Sequence, residues 1–461
     1  MRQKIQLELA LDERAAGEAR SHRAQGTEAC AADAAIESPP MTAGPVPGRG
    51  PTMEAIVERD NLRKALARVQ RNKGAPGVDG MSVEALAVHL KDHWPTIRAQ
   101  LLEGAYEPQP VRRVEIPKAS GGMRPLGVPT ALDRFIQQAA MQALQAEWDG
   151  TFSASSYGFR PERSAHQAVR AAQALLASGH GIVVDIDLEK FFDRVNHDIL
   201  MGLVAKRVTD KRVLRLIRSF LISGVFEGGL VCPIDEGTPQ GGPLSPLLSN
   251  LMLDELDKEL ERRGHNFVRY ADDCNIYVRS RRAGERVMAS VEAFLGRRLK
   301  LKINREKSAV AAPQQRKFLG FSFTGDTPPK RRIAPQALER FKRRVRSMTR
   351  RTRGSSLGQV AKTLARYLIG WRGYFGFCET PLTLRGLDSW IRRRLRSLVW
   401  KQWKTGVTRY AALRRRGLTH DQAATAAGSA HSAWRLSRSQ PLHKALPNAL
   451  FTRLGLVSLS G

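Results

Sequence analysis

Apolar residues recur along this chain with two alternating periods, and the points where the period changes outline its organisation. From Met53 the stretch MEAIVERDNLRKALARVQRNKGA sets Ile56, Leu62, Leu66 and Val69 on one face at helical spacing, which predicts one helix ending at Gly74-Ala75-Pro76-Gly77. A second amphipathic helix is expected from about Ser82. The period then drops to two: Val114 and Ile116 alternate with Arg113, Glu115 and Pro117 ahead of Ser120-Gly121-Gly122, so residues 111–130 read as a hairpin. HGIVVDIDLEKFFDRVNHDIL, residues 180–200, begins as an apolar strand and is expected to turn helical after Leu188. A loop rich in glycine and proline, EGTPQGGP, precedes a helix carrying Leu247, Leu248, Leu251, Leu253 and Leu256. Strand formers Phe267, Val268 and Tyr270 and then Ile276, Tyr277 and Val278 flank Ala271-Asp272-Asp273, and beyond Phe323 the pattern is helical.

Where the strand patterns are interrupted, they are interrupted by acids. Asp185 and Asp187 alternate with Val184 and Ile186 and so share one strand face, with Asp187 at the strand's end. A buried carboxylate there is costly unless it is paired or bound to a cation. Taken alone, a helix N-cap explains Asp187 about as well. Asp272 and Asp273 fall at the bend of a hairpin, where neighbouring side chains can approach one point; taken alone, they also fit a turn exposed to water. Together the three acids are what two-metal phosphoryl transfer requires: two divalent ions about 3.5–4 Å apart, one activating a hydroxyl and one stabilising a leaving pyrophosphate. Mg²⁺ suits such a donor set. Lys118 and Arg124, on opposite arms of the first hairpin, either grip a triphosphate from two sides or are solvated surface charges. The loops GAPGVDG and EGTPQGGP permit close backbone approach to a ligand. No G-x-x-x-x-G-K-[ST] stretch occurs, which excludes Walker-type chemistry.

Composition narrows the substrate. The 461 residues leave room for about three domains, and the 42% apolar content can fill real cores. Lys and Arg number 75 against 44 Asp and Glu, a net charge of +31 that calls for a polyanion. A membrane surface is disfavoured because no run of 18 apolar residues exists. The cysteines Cys30, Cys232, Cys274 and Cys378 form no C-x-x-C pair, which points to a reducing cytoplasm and no zinc site. Residues 2–20 lack an apolar core of the kind that export signals carry, and residues 21–52 read as a flexible extension.

RNKGAPGVDG, RRVEIPKASGGMRPLGVPT, SSYGFRPERSAHQAV, VVDIDLEKFFDRVNH, EGTPQGGPLSPLLSNLML, RYADDCNIYV, LKINREKSAV and FLGFSF resemble, in this order, the successive reverse-transcriptase blocks of bacterial group II intron-encoded proteins. The resemblance runs from about Met53 to the C-terminus, and the ordered set is far more specific than Tyr-Ala-Asp-Asp alone. It implies an RNA-directed DNA polymerase that also acts as a maturase, binding intron RNA to promote splicing and retrohoming. Metal would be held by Asp187, Leu188, Asp272 and Asp273, with Asp273 the supporting acid and two Mg²⁺ bound, Mn²⁺ being a substitute. The resemblance gives Lys118 and Arg124 the triphosphate, makes Phe192 a steric gate against a ribose 2′-hydroxyl, and lines the nucleotide pocket with Gln240 and Gly241. Lys307 matches a lysine proposed to protonate the leaving group, though a salt bridge with Glu306 or Asp272 is an equal reading.

The implied fold is α+β: a right-hand polymerase whose fingers and palm carry an antiparallel palm sheet, followed by an all-helical thumb and a basic helical DNA-binding tail. The expected divisions are a flexible extension over 1–52, fingers and palm over 53–325, thumb or maturase domain over 326–385, and DNA-binding domain over 386–461. From Arg385 onward fifteen Lys or Arg face two acids, Asp388 and Asp421. Arg343, Arg344, Arg392, Arg393, Arg394, Lys401, Lys404, Arg414, Arg415 and Arg416 are the candidate phosphate contacts. The aromatics Tyr367, Trp371, Tyr374 and Phe375 are expected in the thumb core, and Trp390, Trp400 and Trp403 among the bases of the tail. Expected partners are intron RNA, an RNA template with a DNA primer, target DNA and deoxynucleotides, with no membrane and either a monomer or a homodimer. The chain's end at Gly461 without an endonuclease domain resembles the class C type. A splicing cofactor without polymerase activity, or a reverse transcriptase turned to DNA repair or defence, are the alternatives.

Overall fold

The structure, a computed structural model, describes residues 50–117, 122–227, 230–232, 236–238, 241–350 and 354–461. Nearly all of the expected extension over 1–52 lies outside the described residues, as do Lys118 and Gln240; Arg124 is described in its backbone alone. The described chain divides into two units, one ending at Phe318 and the other beginning at Leu319. Among the described residues no helix is long and apolar enough to cross a membrane.

The first unit opens with α1 (Met53–Ile56), α2 (Arg59–Asn72) and α3 (Val83–Glu103), then β1 (Val111–Pro117), β2 (Met123–Val128), α4 (Ala131–Trp148), α5 (Ala165–Ala177) and β3 (Ile182–Ile186). It continues through α6 (His197–Ala205), α7 (Lys211–Ile222), β4 (Val225–Glu227), β5 (Leu230–Cys232), α8 (Ser245–Arg262), β6 (Asn266–Tyr270), β7 (Asp273–Val278), α9 (Arg281–Phe294) and β8 (Ala309–Ala311). The expected hairpin forms, with Ile116 opposite Arg124, and belongs to a sheet of order β2-β1-β4-β5. A second sheet, of order β6-β7-β3-β8, is antiparallel throughout and carries the acids.

Two helix expectations are corrected. The single helix from Met53 is broken at Glu58, whose backbone is extended (φ −63°, ψ 140°) and whose carboxylate accepts from the Asn61 N–H at 2.9 Å, so a charged N-cap restarts the chain as α2. No helix follows Leu188. Glu189 N–H bonds to Lys302 O at 2.9 Å and Lys190 takes a left-handed φ of 45°, after which Phe191–Asp193 forms one 3₁₀ turn. Helix α6 waits for Asn196, whose side chain accepts from the Ile199 N–H at 2.9 Å.

Helix α8 explains why the acid-bearing sheet is held so firmly. It buries Leu247, Leu248, Leu251, Met252, Leu253, Leu256 and Leu260, each side chain contributing about 1.5–3 kcal/mol. That burial offsets the cost of carrying Asn250 and Asp257 into the interior beside them.

The second unit begins with a ribbon, β9 (Phe321–Phe323) paired antiparallel with β10 (Arg331–Ile333), so the helical pattern expected beyond Phe323 starts at α10 (Pro335–Met348). Ile333 is buried, which is why this short segment pairs rather than coils. Helices α11 (Leu357–Phe375), α12 (Pro381–Gln402), α13 (Gly406–Arg414), α14 (His420–Gly428), α15 (Ala433–Leu436), α16 (Gln440–Ala445) and α17 (Asn448–Arg453) follow. Helix α12 runs unbroken through residues 385 and 386. The aromatics of α11 are core: Phe341 lies 4.3 Å from Trp371 and 5.8 Å from Tyr367, and Trp371 lies 4.8 Å from Phe375.

Candidate active site

Strand register alone gathers the acids. Strand β3 pairs with β7 as far as Ile186 opposite Cys274, so Asp187, the next residue after β3, comes to the end of the sheet where Asp273 begins β7, near enough to repel its carboxylate. Tyr270 pairs with Asp273 across β6 and β7, leaving Ala271 and Asp272 as a two-residue turn. The expected hairpin bend is therefore present, with Asp272 exposed at its tip and Asp273 as the first residue of β7.

That turn is strained and propped from beneath. Ala271 has φ 57°, the left-handed region that disfavours any residue with a Cβ. Arg269, fully buried, donates from Nη1 to Ala271 O at 2.9 Å and to Asn250 Oδ1 at 3.1 Å, from Nη2 to Ser156 Oγ at 2.8 Å, and to the Asp257 carboxylate from Nε at 2.7 Å and from Nη2. All five guanidinium N–H groups are thus used. Burial works against the charge of Arg269, but the Asp257 carboxylate outweighs it and holds the guanidinium pKa above its ordinary value. Gly158 passes so close that a Cβ there would lie 2.2 Å from Ala271 N, and Asn250 Nδ2 donates to Gly158 O at 2.8 Å. The SSYGFRP stretch thus serves as the bed of the turn.

The segment after β3 is held from the other side. Asn304 N–H donates to Asp187 O at 2.8 Å, and Ser308 Oγ accepts from Asp187 N–H at 2.9 Å. The salt bridge of Lys307 is to neither Glu306 nor Asp272: its Nζ lies 3.5 Å from Asp187 Oδ1. The reason is this same loop, which lays residues 304–308 along Asp187. Arg316 completes the tie, donating from Nε to Asp185 Oδ2 at 2.8 Å and from Nη2 to Lys307 O. Ser308, Arg316 and Arg269 were not marked by sequence reasoning. The available signal was an arginine in the middle of an apolar strand, at Arg269.

Burial dominates the electrostatics of Asp273 and Asp185. Loss of water, then repulsion from Asp185, Asp272 and Asp187, pushes the Asp273 carboxyl well above the usual carboxylate range, with Lys317 opposing. Burial likewise raises Asp185, against the pull of Arg316. Among the described residues no group of three or more His, Cys, Asp or Glu side chains is placed to hold a metal ion. The donor set instead is open and oxygen-only, and its crowded carboxylates are what a hard cation relieves while taking water or phosphate oxygens for the rest of its shell. Leu188 forms a bridge with Ile303 whose two hydrogen bonds are made by its neighbours, so that ladder does not use the Leu188 carbonyl. In donor chemistry these acids suit a hard divalent ion.

Phe192 lies five residues past Asp187, half-buried, its ring 5.2 Å from that of Phe191. Its carbonyl accepts from Thr238 N–H at 2.7 Å, which fastens the start of the EGTPQGGP loop to it. At the far end of that loop Gly241 (φ 132°) presses on β2: a Cβ there would stand 2.5 Å from Gly127 O.

The basic candidates of the second unit divide by environment. Arg393 stacks 3.8 Å over Trp434 and donates to its carbonyl at 3.0 Å, and Arg394 stacks on Trp390 and donates to Thr349 Oγ1 at 2.7 Å. These two are built into the fold. Arg416 lies over Trp403 at 5.0 Å yet is exposed, as are Arg343, Lys401, Lys404, Arg414 and Arg415, while Arg344 and Arg392 are half-buried. Trp400 is buried beneath Arg409 at 4.9 Å, so its ring belongs to the core.

Comparison with known proteins agrees with this geometry. Residues 116–323 match the family "Reverse transcriptase (RNA-dependent DNA polymerase)" and residues 338–417 match "Group II intron, maturase-specific domain". Protein YkfC of Escherichia coli (strain K12) is 34% identical over 59% of this chain and 81% of its own length. The chain belongs to the group II intron reverse transcriptase and maturase family. Group II intron-encoded protein LtrA of Lactococcus lactis subsp. cremoris is 29% identical over 58% of this chain, which spans 55% of LtrA. A solved chain described as "Partial Cas6-RT-Cas1--Cas2 complex" is 23% identical, with a TM-score of 0.36 over 57% of this chain and 46% of that one. The reverse-transcriptase match takes in Asp185, Asp187, Asp272 and Asp273, and the maturase match runs from within α10 to just past α13.

Proposed function

We propose that this family member copies RNA into DNA at Asp187, Asp272 and Asp273, and that its basic surfaces bind the intron RNA whose splicing and retrohoming it serves. The observation that carries the reading is the meeting of Asp187 with the Asp272–Asp273 turn at one end of one sheet. A reverse-transcriptase domain depends on a divalent metal; here we assign two Mg²⁺, with Mn²⁺ as a substitute. Asp187, Asp272, Asp273 and the Leu188 carbonyl would hold them, and when bound they would supply an activated primer hydroxyl and a neutralised pyrophosphate. The protein's own groups do the rest. Lys118 and Arg124 hold the triphosphate, Gln240 and Gly241 line the nucleotide pocket, and Lys307 delivers a proton to the leaving group. The partners in this reading are intron RNA, an RNA template with a DNA primer, target DNA and deoxynucleotides. The setting is the cytoplasm, and the thumb and the DNA-binding segment meet near residue 385.

In this reading the ring of Phe192 excludes a 2′-hydroxyl. Phe192→Ala is expected to raise ribonucleotide incorporation relative to deoxynucleotide by roughly 10- to 200-fold, the range a small steric difference commands. Single-nucleotide extension with matched dNTP and rNTP checks it, and unchanged discrimination would remove the gate. If the exposed arginines and lysines contact phosphate, affinity for intron RNA should fall by about 10³- to 10⁵-fold between 50 and 200 mM salt for about 6–10 contacts. A flat titration would contradict the role of the basic surface.

A further inference from the structure

The turn that carries Phe192 and the start of the EGTPQGGP loop are joined by more than one bond. Gly237 N–H donates to Val195 O at 2.8 Å, Thr238 N–H to Phe192 O at 2.7 Å, and His197 Nε2 lies 2.6 Å from Gly237 O. A carbonyl only accepts, so Nε2 carries the hydrogen. His197 is buried, at 6% exposure, and it opens α6 directly after the Asn196 cap, so its ring is held on a fixed element. Asn196 in turn forms a bridge with Glu236. Gly237 has φ 96°, and a Cβ there would stand 2.8 Å from Phe192 O and 3.1 Å from Asp193 Cα, so only glycine lets the strands of this junction close. Four residues on, Gly241 rests on β2. Gly237 and Thr238 are therefore tied to the Phe192 turn, and Gly241 lies against the first hairpin.

We propose that His197 is a positioning residue for sugar selection: by holding Gly237 O it sets the distance between the Phe192 ring and the Gly237–Thr238 segment that leads into the nucleotide-pocket loop. The inference rests on the reading of Phe192 as the gate. A histidine that merely stabilised the fold would, when replaced, lower incorporation of both sugars alike. A positioning histidine changes their ratio, because gate and loop separate.

The test uses the full chain in single-nucleotide extension of a DNA primer on an RNA template, with dNTP and rNTP measured separately. His197→Phe keeps the ring's bulk and loses the donor; it should lower kcat/KM for dNTP and reduce the dNTP-to-rNTP preference by roughly tenfold, the scale of one buried hydrogen bond. His197→Gln, whose amide reaches the Nε2 position, should restore most of the preference. Should His197→Phe not fold, His197→Asn takes its place, since its shorter amide stops short of Gly237 O. Phe192→Ala is the control. If it relaxes the preference while the donor-less variant lowers both sugars equally, or if Gln rescues nothing, the role of His197 falls and the gate stands. If Phe192→Ala also leaves the preference unchanged, the gate falls and the inference goes with it.

Discussion

Replacing Asp272 with alanine is expected to lower primer extension by roughly 10³-fold or more, while intron RNA binding at fixed salt stays within about twofold. The two readouts separate because the residues involved are separate. Asp272 is exposed at the tip of a two-residue turn, with its backbone neighbours fixed by β6, β7 and Arg269, so the substitution removes a carboxylate and leaves the turn's supports in place. The candidate RNA contacts lie from Arg343 onward, in the other unit. Asp273→Asn is the informative comparison. That carboxyl is pushed up by lost water and three neighbouring acids. Its removal should cost less activity than loss of Asp272, because Asp187 and Asp272 still face the site. Extension assays over a Mg²⁺ titration with both variants decide the order. Retained extension by Asp272→Ala would overturn the assignment of the site.

How much of this was legible beforehand follows from which forces act locally. Alternation and hairpin pairing are local, so the Asp272–Asp273 bend and the strand that leads to Asp187 could be read from Val184, Ile186 and the strand formers around the turn, whereas the pairing of β3 with β7 that brings them together is long-range. The order of sequence blocks then named the chemistry. What the sequence hid was decided by partners far along the chain. Leu188 to Val195 is rich in residues that tolerate a helix, yet its backbone bonds to Lys302 and to residues 237 and 238 instead. Glu58 falls inside the single helix expected from Met53 and is a cap instead. Arg393 and Arg394 looked like phosphate contacts in a basic run, but their guanidiniums are already engaged by Trp434, Trp390 and Thr349. Lys307 was ambiguous for the same reason: a lysine's partner is set by the loop that delivers it, and here Ser308 and Asn304 deliver it to Asp187.

Arg269 separates stability from catalysis in a way that Asp272 cannot. Arg269→Met leaves the Asp257 carboxylate buried without its partner, in a site where both side chains are fully shielded from water. Breaking such a pair costs about 3–5 kcal/mol, so denaturant unfolding should show a loss of that order together with collapsed extension. The second variant, Arg269→Met with Asp257→Leu, replaces the pair by apolar groups of similar volume and should recover most of the lost stability, since a buried pair is often no better than well-packed hydrocarbon. Extension should not recover with it. Ala271 O would still lack its donor, and the strained φ of 57° that aims Asp272 would be left to the β6–β7 pairing and the close approach of Gly158. A double variant that regains stability yet stays at roughly a hundredth of wild-type kcat, with RNA affinity unchanged, identifies Arg269 as the residue that positions the turn. If activity returns in step with stability, the buried pair is only a structural tie, and the turn keeps its shape by other means.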